Sequence, residues 1–223
     1  MTTRARRLTL SIVFVLASAV IAVLPAAAAS LSVSTRTLTL STRIYGAART
    51  CTLNASADSY VARELASSNF GTATSVQVSP DSVATRRLFI RFDLTSCSPS
   101  IPSDAIVQSA KVRLTVSALA AATRTYELRA ALASWGETSI TWSNQPAVSS
   151  TVTSSSTVNV GTTAGTVVEW TATSDTQSFA TGTTTNAGWR IGDASEAGAG
   201  TPLLLGSREA TGGTPQLSVT YLP

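Results

Sequence analysis

The chain is written in short alternations. In Arg86–Ser96, RRLFIRFDLTS, Leu88, Ile90 and Phe92 share one parity while Phe89, Arg91 and Asp93 share the other. That period belongs to a strand with one face in a core and the other in water. Similar runs recur at Ser75–Ser79, Arg87–Leu94, Ala110–Ser117, Thr125–Leu132, Ser139–Trp142, Thr157–Val160, Thr166–Thr171, Gly188–Gly192, Pro202–Ser207 and Gln216–Tyr221. Gly, Pro, Asn, Asp and Ser break the chain between them, as turns require. About ten strands at this spacing predict an all-β fold, a two-sheet β-sandwich of jelly-roll type. One segment differs: 172–182, ATSDTQSFATG, predicts a helical turn or two, with Ser174 or Asp175 as its cap.

Strict alternation assigns an inward set: Val76, Val78, Leu88, Ile90, Phe92, Val112, Leu114, Val116, Leu128, Ile140, Trp142, Trp189, Ile191, Leu217, Val219 and Tyr221. The same rule turns Arg91, Lys111, Arg113, Arg129 and Arg190 outward. If neighbouring strands gather them, they form a cationic stripe able to grip carboxylates. Asp93, Glu127 and Glu169 occupy comparable positions and could neutralise it by cross-strand pairing. Ser and Thr supply 67 of the 223 residues, a composition that suits pleated surfaces and turns and strengthens the all-β reading.

The N-terminus changes the charge picture. It opens MTTRARR, runs apolar from Leu8 to Leu24 and continues PAAAAS, the pattern of a secretory signal peptide, residues 1–29, cut after Ala29. Arg6-Arg7 fits a twin-arginine signal less well than the general secretory route. Residues 30–51 are expected to form an arm or extra strand, and 52–223 the sandwich. Arg4, Arg6 and Arg7 leave with the signal, so 16 basic and 12 acidic side chains become 13 and 12. A net +1 with interleaved signs gives no footprint for nucleic acid. The mature protein is expected to be extracellular, monomeric and without a stable membrane insertion. In an exported chain the pair Cys51 and Cys97 favours a disulfide.

Histidine is absent, which excludes Ser-His-Asp and Cys-His machinery and an imaginable imidazole base. No phosphate-binding glycine loop or EF-hand loop occurs. Two carboxylates about 5–10 Å apart would suffice for a glycosidase, and sequence does not reveal their pairing. Of the four tryptophans, Trp142 and Trp189 keep phase with apolar neighbours and read as core. Trp135 beside Gly136 and Trp170 beside Glu169 are candidates for an exposed ring that stacks on a sugar.

The ordered segments ADSYV, SSNFGTATSVQV, RRLFIRFDLTS, IPSDAIVQSAKVRLTV, WGETSITWSNQP, NAGWRIGD and SREA…TPQLSVTY resemble the bacterial DNRLRE domain, which overlaps the family 96 carbohydrate-binding modules. The likeness runs from about Ala57 to Tyr221. It implies a jelly-roll sandwich, an extracellular setting and binding of polysaccharides, alginate-like acidic ones among them, in a basic groove. Such a groove would use Arg91, Lys111, Arg113, Arg129 and Arg190. Calcium is a frequent structural ion in related sandwiches, and no Asp cluster in the sequence identifies a site for it. The first expectation is thus a secreted, non-catalytic polysaccharide-binding module. The alternatives are a structural or adhesive surface sandwich without sugar affinity, and a small polysaccharide lyase or glycosidase.

Overall fold

The computed structural model describes residues 8–14, 36–42, 45–198 and 200–223. The chain forms two compact units, one up to Gly46 and one from Ala47 to Pro223. In the first, β1 (Leu8–Phe14) pairs antiparallel with β2 (Arg36–Thr42). The expected cleavage point at Ala29 lies outside the described residues.

The second unit is mostly β. Its strands are β3 (Arg49–Asn54), β4 (Ala57–Ala62), β5 (Ser75–Val78), β6 (Arg86–Arg91), β7 (Ile106–Thr115), β8 (Arg124–Ala130), β9 (Ser154–Val158), β10 (Val167–Thr171), β11 (Trp189–Asp193), β12 (Leu203–Gly206) and β13 (Gln216–Leu222). One sheet has the order β10-β7-β13-β3 and the other β4-β6-β11-β8-β9. A third, two-stranded ladder of β12 and β5 sits between them: Leu205 bridges Val116 beyond β7, and Ser79 bridges Arg86 at the start of β6. The ladder is therefore a corner joining the two sheets.

Inward residues of both sheets form one core, with Val112, Leu114, Leu217 and Val219 from one side and Leu88, Ile90, Leu128, Trp189 and Ile191 from the other. Trp170 crosses it. Its indole Nε1 on β10 donates to the Tyr126 carbonyl on β8 at 2.9 Å, so the polar atom of a fully buried ring is satisfied across the sandwich. The predicted helix is α1 (Thr173–Ala180). Neither Ser174 nor Asp175 caps it. The N-cap is Ala172, without a side-chain bond. Asp175 instead accepts from Trp189 Nε1 at 2.8 Å and from Thr153 Oγ1 at 2.6 Å, and Gln177 accepts from Val107 N at 2.7 Å. The helix is thus tied to the sheets by side chains.

The alternation misplaces one run. Ser139–Trp142 is not a strand but a turn leading into a 3-10 turn, Trp142–Asn144. Ile140 is buried there, while Trp142 is only partly buried. β4 also exists where no strand is predicted, and β3 overlaps only the end of the expected arm or extra strand over 30–51. β4, ADSYVA, is buried at every position, so it carries no polar parity to read.

Cys51 on β3 and Cys97 after β6 form a disulfide with a Cα–Cα distance of 5.8 Å and a sequence separation of 46. It ties the edge of one sheet to the end of the other. The double variant Cys51→Ser with Cys97→Ser is expected to lose roughly 4 kcal/mol by loop-closure entropy, read as a lower urea midpoint, with a larger m-value because the released unfolded chain exposes more surface. Gly188, which opens β11, has φ +75°, and a Cβ there would stand 2.2 Å from the Ile90 carbonyl oxygen. Gly188→Ala is expected to cost roughly 2–4 kcal/mol through left-handed strain and backbone overlap, measured in the same titration.

Candidate carbohydrate site

The opening stretch RRLFIRFDLTS is buried on both faces for part of its length. Phe89, on the side opposite Leu88 and Ile90, is fully buried. It belongs to a second apolar cluster with Ala57, Val61, Ala131, Trp135, Ile140 and Ala187. The chain after β8 folds back over the outer face of the five-stranded sheet, where Trp135 meets Phe89 edge-on at 5.9 Å between ring centroids. Trp135 Nε1 donates to the Ala187 carbonyl at 2.9 Å. The cover is anchored further by Asn69, whose Nδ2 donates to the carbonyls of Glu137 and Ile140, each at 2.7 Å.

Where this cover ends, the outer face opens into a polar groove of about 410 Å³. Its walls are Glu127 and Arg129 of β8, Arg190 and Asp193 of β11, Val148–Ser150 of the covering segment, and Ala194 with Glu196. Register places Arg190 directly opposite Arg129 on one side and Phe89 on the other. Gly192 makes room for it: a Cβ there would stand 3.3 Å from the Arg190 guanidinium.

The charges interlock. Arg129 donates to Glu127 Oε2 at 2.8 and 2.9 Å and to the Ser149 carbonyl at 3.2 Å. Arg87 grips Glu196 through Nε at 2.7 Å and Nη2 at 2.5 Å. Arg190 is held loosely, 3.9 Å from Glu196, and its buried Nε has no partner among the described residues. Burial, then the neighbouring Arg87, pushes the Arg190 pKa below its ordinary value. The guanidinium of Arg87 also lies 4.5 Å from the centroid of the Trp142 ring, a cation–π contact, so Arg87 touches both the partly exposed indole and Glu196 of the groove wall.

The expected cationic residues do not form one stripe. Arg91, Arg129 and Arg190 lie on the five-stranded sheet, Lys111 and Arg113 on the other. Lys111 and Arg113 both pair with Glu169 across the β7–β10 ladder, at 2.7 and 2.9 Å. Arg91 instead donates to the Trp135 carbonyl at 3.2 Å and stacks on that ring, 5.3 Å from its centroid. It borders a separate cleft of about 480 Å³ with Phe92, Asp93 and Phe179. The expected stacking rings are corrected as well: Trp170 is fully buried and Trp135 is 8% exposed, so neither offers a face to a ligand. Trp142, assigned to the core, is the ring near the surface.

The sequence reading does not single out Arg87, Trp142, Ser149, Ser150 or Glu196 as ligand candidates. Arg87 has the same parity as Phe89 and Arg91 and was legible. Glu196 and the serines lie in loops, where no period marks a side chain's direction.

A model of carbohydrate-binding module family 96 matches residues 49–221, nearly the whole second unit. The chain belongs to this family. No curated protein matches it.

Lys111, with Arg113, holds the Glu169 carboxyl below its ordinary range. A depressed carboxylate contributes stability above its unfolded pKa and loses it as pH falls through the folded one. Lys111→Met is therefore expected to raise the Glu169 pKa toward the ordinary value. Side-chain carboxyl NMR over a pH titration checks this, and an unmoved resonance would show that the ladder is not formed in solution.

Proposed function

We propose that this protein is a secreted, non-catalytic jelly-roll module that binds a polysaccharide along the outer groove of its five-stranded sheet. Family membership supports the ligand class, and a single observation supports the place: the covering segment stops short and leaves a polar groove whose Glu196 wall is held by Arg87, the guanidinium that stacks on the Trp142 indole. Hydroxyl groups of a sugar can donate to Glu127 and Glu196 and accept from Arg129 and Arg190. Trp142 can take the apolar face of one ring. An acidic sugar could compete with Glu196 for Arg190, the most loosely held guanidinium of the groove.

The groove is shallow in apolar surface, so affinity on the order of micromolar to millimolar is expected. Export rests on the leader-like N-terminal sequence, and the disulfide is consistent with an oxidising compartment. Among the described residues no helix is long and apolar enough to cross a membrane. The carboxyl with the most raised pKa, Asp58, is pushed up to about 7 by burial, but at 1% exposure it is closed to a glycosidic oxygen. That gives the glycosidase reading no support.

Affinity electrophoresis against neutral and acidic polysaccharides, with reducing ends assayed in parallel, tests the proposal. The wild-type protein is expected to be retarded without generating ends. Arg129→Ala and Trp142→Ala should each weaken retardation by about tenfold or more, a loss of roughly 1.4 kcal/mol. Lys111→Ala with Arg113→Ala should leave it unchanged. The reverse pattern would move the site to the four-stranded sheet, and no retardation on any glycan would favour a structural or adhesive role.

A further inference from the structure

Three carboxylates far apart in the sequence meet beside the edge strand β4: Asp58 on that strand, Glu137 in the covering segment, and Glu209 in the turn after β12. One oxygen from each lies within 4.8 Å of the other two. Asp58 is 1% exposed, and while its Oδ2 accepts from the Arg208 backbone N–H at 2.8 Å, its Oδ1 is buried without a hydrogen-bond partner among the described residues. Glu209 Oε2 is buried and unpartnered in the same way.

Glu137 accepts from the Asp58 N–H at 2.9 Å and from Arg208 Nη1 at 2.7 Å. Arg208 Nε also lies 3.5 Å from Glu209. When all three carboxylates are ionised, this one guanidinium leaves two negative charges uncompensated. Burying such a charge without a counterion is unfavourable, and so is leaving its oxygens without donors.

We propose that Asp58, Glu137 and Glu209 bind one calcium ion. A divalent cation cancels the excess charge and occupies the orphaned oxygens. The donors are all oxygen, which selects a hard cation over zinc or copper. Three oxygens within 4.8 Å of one another can share a calcium ion, whose bonds of about 2.3–2.6 Å span up to about 5 Å and whose irregular coordination tolerates a ligand set fixed by the fold, where magnesium demands a near-ideal octahedron.

The site is positioned before any ion arrives. A Cβ on Gly71 would stand 2.2 Å from the Glu137 carbonyl oxygen, so glycine there admits the close approach, and Asn69 clamps that same carbonyl. Glu209, with a side chain 27% exposed, gives the ion access from water. The bound ion would join β4, the covering segment and the β12–β13 turn. This proposal is independent of the sugar reading.

The test uses the mature chain stripped with EDTA and held at pH 8, with calcium chloride titrated while the melting temperature is followed. An affinity on the order of 0.1–1 mM, usual for extracellular modules, should raise the melting temperature by several degrees at about 10 mM. Magnesium should raise it less. Asp58→Asn and Glu209→Gln should abolish the calcium response, and in EDTA Asp58→Asn should melt no lower than the wild type, because it removes a repulsive charge. Calorimetry of the wild-type protein supplies the reading if a variant fails to fold, with one calcium per chain expected. No heat and no thermal shift up to that concentration overturns the proposal, as does an equal shift in both variants.

Discussion

The outer face of the five-stranded sheet carries an apolar patch, and the chain has to cover it. Phe89 and Val61 point away from the sandwich core and are nonetheless fully buried, because Trp135 and Ile140 fold back over them. Burying a side chain such as Phe89 contributes roughly 2–3 kcal/mol. The patch is too narrow to need a third sheet, so a loop with two 3-10-like turns suffices. Its indole N–H and its carbonyls find partners in Ala187 and Asn69, as buried backbone and ring donors require. The position of this cover then decides where the sheet meets water, and therefore where the groove begins.

Charge organisation follows from the same limit. Arg87, Arg129 and Arg190 stand on neighbouring strands at the border of the cover, where solvent screening is reduced. Their mutual repulsion is offset by Glu196 and Glu127, with Glu196 shared between Arg87 and, more loosely, Arg190. Partly buried pairs of this kind contribute little net stability after desolvation. Their use is geometric, since the Arg87 and Arg129 guanidinium groups are held in fixed directions and would lose less rotamer freedom on contact with a ligand of the proposed kind. The Arg87 guanidinium over Trp142 does the same for the indole.

Much of the sandwich was legible as alternation, because a strand with one wet face must show a period of two. Leu88/Ile90, Val112/Leu114 and Leu217/Val219 are core pairs by that rule, and all are buried. The rule fails where both faces are dry. β4 reads as ADSYVA with no polar phase, and Phe89 is covered by residues some fifty positions later. It also fails at Ser139–Trp142, whose apparent alternation is a turn held by Asn144, which accepts from the Thr141 N–H at 2.6 Å. Three rings depart from expectation, each for its own reason: Trp135 folds into the cover over Phe89, Trp170 follows the inward parity of its strand despite the neighbouring Glu169, and Trp142 lies in a 3-10 turn where the alternation suggests a strand. The carboxylate cluster could not be read at all. Its members are 79 or more residues from Asp58, joined only by folding.

The two outer faces differ in what they offer a sugar chain, and that difference favours the groove. On the four-stranded sheet, register aligns Asn54, Gln216, Arg113 and Glu169 in one row and Thr52, Ser218, Lys111 and Thr171 in the next. These two rows are wholly polar. Every hydrogen bond they made to a sugar would replace one to water, with little gain, and their cations are already closed on Glu169 from both sides. The groove has Val148 in its wall, a guanidinium 3.9 Å from its acid and, one side chain beyond Glu196, Arg87 stacked on the Trp142 indole. Apolar contact there adds a term that water does not cancel, and concave walls let one sugar reach donors and acceptors together. A face that combines both is the better binder even with a net charge close to zero.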